Sequence, residues 1–229
     1  MAVAEALTVR RMSLSPEHLI APSAYMQRVL QRSWVAAVSR VHLVRHPVES
    51  RPERWQGGGG YVLYAGRLGP EKGVEELERT CTALGVPLLV AGRGPVEEPL
   101  RERIAQGGST ATLLGHLGQD ELDRYRLECI AQVVPSAWPE VAGLVALEAA
   151  ALGVPLLLSD RGGLPEVLEL GARGIALDLR NRADFEKALQ ICRGMRPEHE
   201  VRLPETLGWR QHLLDIEGVY AMAIRGRRP

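Results

Sequence analysis

From Tyr61 onward the sequence alternates short apolar runs with longer amphipathic segments, and this alternation constrains the fold more than any other feature. Six runs have the length and composition of buried strands: YVLYAG, PLLVAG, TATLLG, AQVVPS, PLLLSD and GIALDL. The segments between them, such as VEELERTCTALG, DELDRYRLE and DFEKALQICRG, have helical periodicity. Strands that alternate with helices through short Gly/Pro loops predict an α/β domain with a doubly wound parallel sheet.

In a sheet of this kind, ligands bind beyond the carboxyl ends of the strands. The loops at those ends are AGRLGPEKG, AGRGP, GHLG, PSAWPEVAG and SDRGG. Several of these loops carry arginine, lysine, glutamate or histidine. A functional site is therefore expected among them.

The first 60 residues have a different pattern. HLIAPSAYMQRVLQRSW predicts a strand followed by a helix with Ser23 as N-cap, and VHLVRHPV predicts another strand. RPERWQGGGG ends in four consecutive glycines and is interpreted as a linker, because glycine runs order poorly. The predicted organisation is a segment of residues 1–56, a glycine linker at 57–60, and a main domain of residues 61–229 that includes the last helix.

Composition limits the possible functions. The chain has 28 basic and 28 acidic residues without a block of like charge, so neither nucleic acid nor an anionic membrane is favoured as a partner. We see no apolar run long enough to span a membrane and no signal peptide in the first thirty residues. Cys81, Cys129 and Cys192 are far apart, which fits reduced thiols in a cytoplasmic protein and no metal site.

Glu148 is the single charged residue among the fifteen from Leu144 to Leu158. A helix from Gly143 to about Leu152 is otherwise Leu, Val and Ala on every side, which predicts that it is buried. A buried carboxylate needs hydrogen-bond donors. A neighbouring arginine, backbone N–H groups or the hydroxyl groups of a ligand could supply them, and the residues alone leave these alternatives open.

The start of the same helix is a candidate anion site. The backbone N–H groups of Gly143, Leu144 and Val145, together with the helix dipole, suit a phosphate. At a rise of about 1.5 Å per residue, Glu148 would lie about 6 Å further along the helix axis. That is about the distance from a phosphate to the ribose of the same nucleotide.

Two cations, Arg67 and Lys72, follow the first of the six strands. A diphosphate suits the planar fork of arginine together with the compact charge of lysine. Lys72 is one of only two lysines among 28 basic residues, which favours a specific role for it. The alternative is a pair of surface cations neutralised by Glu71 and Glu75. Glu140, in the loop before the apolar helix, is by itself interpreted as an exposed carboxylate.

Other nucleotide-binding motifs are weak. AGRGP contains Gly92 and Gly94 but lacks a third glycine at the dinucleotide-binding spacing, and the sequence has no P-loop motif. His116 in GHLG is by itself interpreted as a loop or core histidine. No nucleophile–His–Asp arrangement stands out.

Together these motifs resemble the donor-binding half of a GT-B glycosyltransferase of glycosyltransferase family 4 (group 1). The resemblance covers residues 61–220 in consistent order through GRLGPEKG, GRGP, GHL and PEVAGLVALEAAALGVPLLLSDRGGLPEV. The last segment is the most specific, since it combines two glutamates separated by seven residues with matching flanks. The resemblance implies a Rossmann-like domain, an NDP-sugar as donor substrate, retaining transfer of a sugar, and no metal or further cofactor.

The resemblance also implies a role for each matching residue. Arg67 and Lys72 would neutralise the donor diphosphate and Glu140 would contact the donor sugar, so these three are the candidate catalytic residues. The N–H groups at the helix start would bind phosphate or sugar oxygens. Glu148 would be left unpaired by protein so that it accepts hydrogen bonds from the ribose, and backbone near Leu117 would face the base.

The sequence departs from the family pattern at several places. Only HLIAPSAYMQRVLQR and VHLVRHPVES resemble the end of the acceptor-binding half and the crossover, so most of that half is expected to be absent from this chain. Ala142 stands where the family commonly has an aromatic residue. The last helix resembles the one that packs against the acceptor half, so Trp209 and Tyr220 are expected to be exposed or used in a contact. We expect full activity to need a separate acceptor-binding chain or a homo-oligomer.

Two further interpretations stay open. The chain could be a non-catalytic nucleotide- or partner-binding module derived from a glycosyltransferase. It could also be another GT-B-like enzyme, such as a nucleotide-sugar epimerase or a phosphorylase-like protein. Binding of UDP, GDP or ADP, and transfer from a nucleotide-sugar, distinguish these interpretations.

Overall fold

The computed structural model describes residues 16–34, 39–49, 51–197 and 203–225. The chain divides into two compact units, one of Val48–Pro204 and one formed by Met1–Pro47 with Glu205–Pro229. By this division the last helix belongs with the residues before position 48. The domain boundaries predicted from the sequence stay a prediction. Residues 1–15 lie outside the described residues, and the signal-peptide prediction partly depends on them.

The larger unit is built on a six-stranded sheet in which all neighbouring strands are parallel. Its strands are β3 (Val62–Ala65), β4 (Leu88–Ala91), β5 (Ala111–Gly115), β6 (Ala131–Val134), β7 (Leu156–Ser159) and β8 (Gly174–Leu177). Its helices are α2 (Val74–Ala83), α3 (Glu97–Ala105), α4 (Gln119–Glu128), α5 (Leu144–Ala151), α6 (Leu164–Glu169) and α7 (Arg182–Arg193), and a 3₁₀ turn covers Pro70–Lys72. The predicted doubly wound α/β class is confirmed.

The core explains why these segments form strands and helices. All four residues of β3, β6 and β7 are buried, as expected of continuous apolar runs in a sheet covered on both faces. Helix α2 turns Val74, Leu77 and Cys81 toward the sheet. Helices α3 and α6 were not predicted from the sequence. Each has a proline in its first turn, where the missing N–H group costs little.

The strand order β5-β4-β3-β6-β7-β8 contains one change of direction. After β3 the chain moves outward to β4 and β5, then returns to form β6 on the other side of β3. The loops after β3 and β6 therefore diverge, and a crevice opens at their carboxyl ends. This is where the loops that carry charged residues are brought together.

The glycine run at 57–60 lies against α4. The N–H groups of Gly57 and Gly59 donate to the carbonyl oxygens of Leu127 and Glu128 over 3.0 and 2.9 Å. Just before the run, the buried Trp55 donates from Nε1 to the carbonyl oxygen of Cys129. These bonds lead the chain onto the edge of α4 immediately before β3 begins.

The smaller unit contains the parallel strands β1 (His18–Ala21) and β2 (Arg40–Leu43), with α1 (Ala24–Gln31) between them. The predicted N-cap is confirmed, since Ser23 Oγ accepts a hydrogen bond from Met26 N at 3.1 Å. A 3₁₀ turn at Glu205–Leu207 precedes α8 (Trp209–Arg225), whose Trp209 and Tyr220 are exposed as expected. Among the described helices, none combines the length and apolarity needed to cross a membrane.

Candidate functional site

A pocket of about 520 Å³ opens at the carboxyl ends of β3 and β4, at the point where the strand order changes direction. Four separate segments line it, contributing Ala65, Gly66, Arg67, Ala91, Gly92, Arg93, His116, Leu117, Gln119, Leu122, Leu144, Val145 and Glu148. Five of the eight predicted site residues are therefore in the lining: Arg67, Leu117, Leu144, Val145 and Glu148.

Arg67 and Arg93 provide the positive charge of the pocket. They follow β3 and β4, whose ends lie close together. A Cβ atom at Gly92 would lie only 1.8 Å from Gly66 O, so a side chain would not fit there. Arg67 is paired with Glu71, as the surface-pair alternative predicted. Arg93 is exposed, and no carboxylate of the described ranges forms an ion pair with it. Sequence reasoning missed Arg93, although it follows β4 in the same way that Arg67 follows β3.

Tyr64 fixes the backbone of the first of these arginines. Its hydroxyl donates to the carbonyl oxygen of Arg67 over 2.7 Å. Burial raises the pKa of Tyr64, and the negative charges of Glu140 and Glu71 raise it further, so the hydroxyl keeps its proton at neutral pH. The backbone at Arg67 is thus held while its guanidinium stays accessible.

The N-terminus of α5 forms the opposite wall. Gly143 precedes it with a φ of 63°, and a Cβ there would lie 2.8 Å from Leu164 Cδ2, so the position favours glycine. Leu144 and Val145 line the pocket, and within the described chain no acceptor bonds to their backbone N–H groups. Free N–H groups at the positive end of a helix dipole suit an anion.

Glu148 is where the structure corrects the sequence analysis. A buried helix and a carboxylate left unpaired by protein were predicted, but the Glu148 side chain is 46% exposed and its Oε2 accepts a hydrogen bond from Arg126 Nη2 at 2.9 Å. The prediction was wrong because α5 packs Ala146 and Leu147 inward and leaves Leu144 and Glu148 at the pocket. Although α5 is apolar on every side apart from Glu148, other elements of the fold cover only part of its surface.

Lys72 and Glu140 are brought together, but neither is in the pocket lining. Lys72 Nζ donates to Glu140 Oε1, which also accepts from Ser136 Oγ. The surface-pair alternative had named Glu71 and Glu75 as the partners of the two cations, but the structure pairs Lys72 with Glu140. The carbonyl oxygen of Glu140 accepts from Gly163 N at 2.7 Å, which anchors the loop. The roles of Lys72 and Glu140 toward a diphosphate and a sugar stay predictions.

His116 and Leu117 follow β5 and complete the pocket with Gln119 and Leu122 from the start of α4. His116 is an exposed loop histidine, which is one of the two predicted alternatives, and it also lines the pocket. The predicted contact of backbone near Leu117 with a base stays a prediction. Within the described ranges, no group of three or more His, Cys, Asp or Glu side chains could hold a metal ion.

Arg126 is the second residue that sequence reasoning missed. It is fully buried on α4 and contacts Glu148 from behind the pocket. Nothing in DELDRYRLE distinguishes it from Arg124, which is exposed two residues earlier on the same helix. Only the packing of α4 against β6 and α5 shows that the two arginines differ.

Known proteins share this architecture. The chain is 29% identical to glycogen synthase of Mycobacterium tuberculosis over 237 residues, covering 93% of this chain and 56% of the relative. Sucrose-phosphate synthase from Thermosynechococcus elongatus superposes with a TM-score of 0.69 at 22% identity, covering 96% of this chain and 62% of that one. Anabaena HepE in complex with UDP superposes with a TM-score of 0.62 at 17% identity, covering 90% and 64%. The chain thus spans little more than half the length of its curated relative.

The parallel sheet, the pocket at its change of direction and these superpositions define a domain of the GT-B fold. The model of the glycosyl transferases group 1 family matches residues 47–192, a range that contains all six strands of the main sheet and the whole pocket lining. The chain therefore belongs to this family, and the resemblance read from its motifs is confirmed.

Proposed function

We propose that this chain is the donor-binding half of a retaining glycosyltransferase that transfers a hexosyl group from an NDP-sugar to an acceptor hydroxyl. The observation that carries the proposal is the pocket, in which two arginines, the open start of a helix and a carboxylate face one space. A nucleoside diphosphate has the matching groups, because it carries a diphosphate, a ribose with two hydroxyls and a base. Among the solved relatives, Anabaena HepE is in complex with UDP, which is a ligand of this class.

Each wall of the pocket fits one part of such a donor. Arg67 and Arg93 would neutralise the diphosphate, helped by the N–H groups at the start of α5. Glu148 would accept hydrogen bonds from the ribose hydroxyls, and backbone near Leu117 would face the base. Lys72 is proposed to reach the outer phosphate at the edge of the pocket.

The chemistry follows from this placement. The bond between the sugar C1 and the diphosphate oxygen breaks, a bond from C1 to the acceptor oxygen forms, and the acceptor hydroxyl loses its proton. Negative charge grows on the diphosphate as it leaves. Fixed cations and helix N–H groups stabilise that charge without reorganising, which lowers the barrier. Glu140, in the loop before α5, would accept hydrogen bonds from the sugar hydroxyls and so orient the sugar.

The acceptor side is proposed to come from elsewhere. Full activity would need an acceptor-binding half on a separate chain or contributed by a homo-oligomer. The cysteines at 81, 129 and 192 are free and buried, which supports the reducing, cytoplasmic setting expected from the sequence.

Calorimetry with UDP, GDP and ADP tests donor binding. At a hundred times its dissociation constant, a nucleotide that binds only the folded chain stabilises it by about 2.7 kcal/mol, which also raises the melting temperature. Arg67→Gln and Arg93→Gln should each weaken binding of the diphosphate about tenfold and leave binding of the uncharged nucleoside unchanged. Arg101→Gln on α3 is the matched control, since Arg101 is exposed and outside the pocket. If none of the three nucleotides binds, the proposal is wrong.

A non-catalytic nucleotide-binding module is the second candidate, and one observation favours it. Lys72 and Glu140 are paired with each other, so each would have to exchange this partner to contact a nucleotide-sugar. Release of free sugar and nucleoside diphosphate from a nucleotide-sugar separates the candidates. Slow hydrolysis that disappears in Glu140→Gln supports an enzyme, whereas tight nucleotide binding without turnover supports the module.

A further inference from the structure

Arg126 is fully buried and donates hydrogen bonds to three side chains. Its Nε donates to Gln132 Oε1, its Nη1 to Asp123 Oδ1 and its Nη2 to Glu148 Oε2, each over 2.9 Å. A guanidinium is planar, so two of these bonds fix its plane and thereby fix the direction of the third. The partners come from α4, β6 and α5.

The exposure of the Arg126–Glu148 pair is uneven. Arg126 is 0% exposed, whereas the Glu148 side chain is 46% exposed and lies in the pocket lining. Glu148 Oε2 is held by Arg126, and no donor among the described residues bonds to Oε1. One oxygen of the carboxylate is thus fixed from behind and the other is left available at the pocket.

The same buried groups also hold the start of α5. Gln132 Nε2 donates to the carbonyl oxygen of Val145 at 2.9 Å, and Arg126 Nη2 reaches that oxygen at 3.5 Å. Val145 lies in the first turn, whose N–H groups face the pocket. Arg126 therefore contacts both elements of α5 that line the pocket, the first turn and the carboxylate.

We propose that Arg126 is a positioning residue that fixes the Glu148 carboxylate so that its Oε1 accepts hydrogen bonds from the ribose hydroxyls of the donor. This inference rests on the proposed function of the pocket. Arg126 does not touch the nucleotide, because Glu148 stands between its guanidinium and the pocket. Arg126 therefore affects only the binding of the ligand groups that Glu148 contacts, which are the ribose hydroxyls.

The test compares UDP, GDP and ADP with their 2′,3′-dideoxy forms, so that only the ribose hydroxyls change. The wild-type chain should bind the hydroxylated form about tenfold more tightly, since hydrogen bonds to a charged group give a preference of at least that size. Arg126→Lys keeps the charge but cannot make three fixed bonds, and it should bring the preference close to one. A purely structural role would weaken both ligands equally and leave their ratio unchanged.

Asp123→Ala carries the same test if Arg126→Lys fails to fold. It removes one of the two groups that orient the guanidinium and leaves the Arg126–Glu148 pair in place. Its preference for the hydroxylated ligand should fall part of the way. Arg124→Lys, on the exposed face of α4, is the control and should keep the full wild-type ratio.

The outcomes separate this inference from the proposed function. A wild-type chain that binds none of the nucleotides overturns the proposed function itself. A wild-type chain that prefers the ribose hydroxyls, with folded Arg126→Lys or Asp123→Ala variants that keep that preference in full, overturns the role of Arg126 alone. Loss of the preference in the folded variants supports it.

Discussion

Glu140 and Glu148 belong to one sequence motif and each is paired with a cation, but the two pairs are built in opposite ways. In the Lys72–Glu140 pair the side chains are 29% and 22% exposed, so both partners are partly accessible to solvent. In the Arg126–Glu148 pair the cation is 0% exposed and the acid 46%. An ion pair therefore does not by itself remove a carboxylate from a ligand. The exposure of each partner decides whether the acid is available.

A third pair, Glu78 with Arg103, is the reverse of the Arg126–Glu148 pair. Here the acid is 2% exposed and the cation 31%. Glu78 also accepts hydrogen bonds from Ser109 and Thr82, so its carboxylate is occupied by protein. The three pairs thus form a series. The acid is buried in the Glu78–Arg103 pair, both partners are partly exposed in the Lys72–Glu140 pair, and the acid is exposed at the pocket in the Arg126–Glu148 pair. Each prediction below tests one position in that series.

The largest effect is expected for Arg126→Leu. Removing the buried cation takes one hydrogen bond from Gln132 and the buried ion-pair partner from Asp123, and breaking a buried pair in this way costs about 3 to 5 kcal/mol of the free energy of unfolding. Denaturant unfolding measures the loss. Arg124→Leu on the same helix should change the free energy by less than about 0.5 kcal/mol. Equal losses for the two variants would mean that Arg126 is not the buried member of its pair.

Glu78→Gln should cost about 2 kcal/mol near neutral pH, because it weakens several charge-assisted hydrogen bonds. Burial alone would raise the pKa of Glu78, but hydrogen bonds from Ser109, Arg103 and Thr82 outweigh it and hold the pKa below its usual 4.5. Its ionised form therefore stabilises the fold above about pH 4.5, and this contribution is lost as the pH falls below that value.

Unfolding curves of wild type and Glu78→Gln at pH 7, 5 and 3 check this dependence. The difference between them should shrink at the lowest pH. Glu102→Gln, an exposed carboxylate on α3, provides the comparison and should show a small difference at every pH. A gap that widens on acidification would contradict the lowered pKa.

Lys72→Gln should have a smaller effect, about 1 kcal/mol, because both members of its pair are partly exposed to water. Lys187→Gln is matched to it, since Lys187 is the other lysine of the chain and is 77% exposed. Thermal unfolding of both variants measures the difference. If Lys72→Gln lowers the free energy of unfolding as much as Arg126→Leu does, the Lys72–Glu140 pair behaves as a buried ion pair and this prediction is wrong.

Glu148→Gln should affect stability least and binding most. The substitution keeps the shape of a half-exposed side chain, so the free energy of unfolding should fall by less than about 1 kcal/mol. Affinity for a nucleoside diphosphate should fall about tenfold, because a charged acceptor is lost. Calorimetry compares it with Glu121→Gln, an exposed carboxylate on α4. A large loss of stability with unchanged affinity would make Glu148 a structural residue.

Much of the fold could be predicted because its signals are local. The six apolar runs became the six strands of one parallel sheet, and Ser23 and Gly143 stand at the helix starts where their residue types indicate. Helices α3 and α6 were not predicted, since Pro99 and Pro165 interrupt their patterns although each lies in a first turn.

The site was predictable only in part, because burial depends on contacts between distant segments. Arg126 and Glu148 are 22 residues apart, and nothing in the sequence around either one specifies their contact. Arg93 could have been found, because the rule that singled out Arg67 applies equally to the end of β4. The exposure of Glu148 could not, since an apolar composition does not show which side of a helix other elements cover.

The Arg126 contacts have a consequence for exchanging segments between this chain and its relatives. One guanidinium joins α4, β6 and α5, so a graft that replaces α5 alone would bring a foreign surface against a retained arginine. Residues 119–151 contain Arg126 and the partners that hold it, so chimeras should be cut before Gln119 and after Ala151. Libraries that vary only the loop ahead of α5 leave these contacts of Arg126 intact.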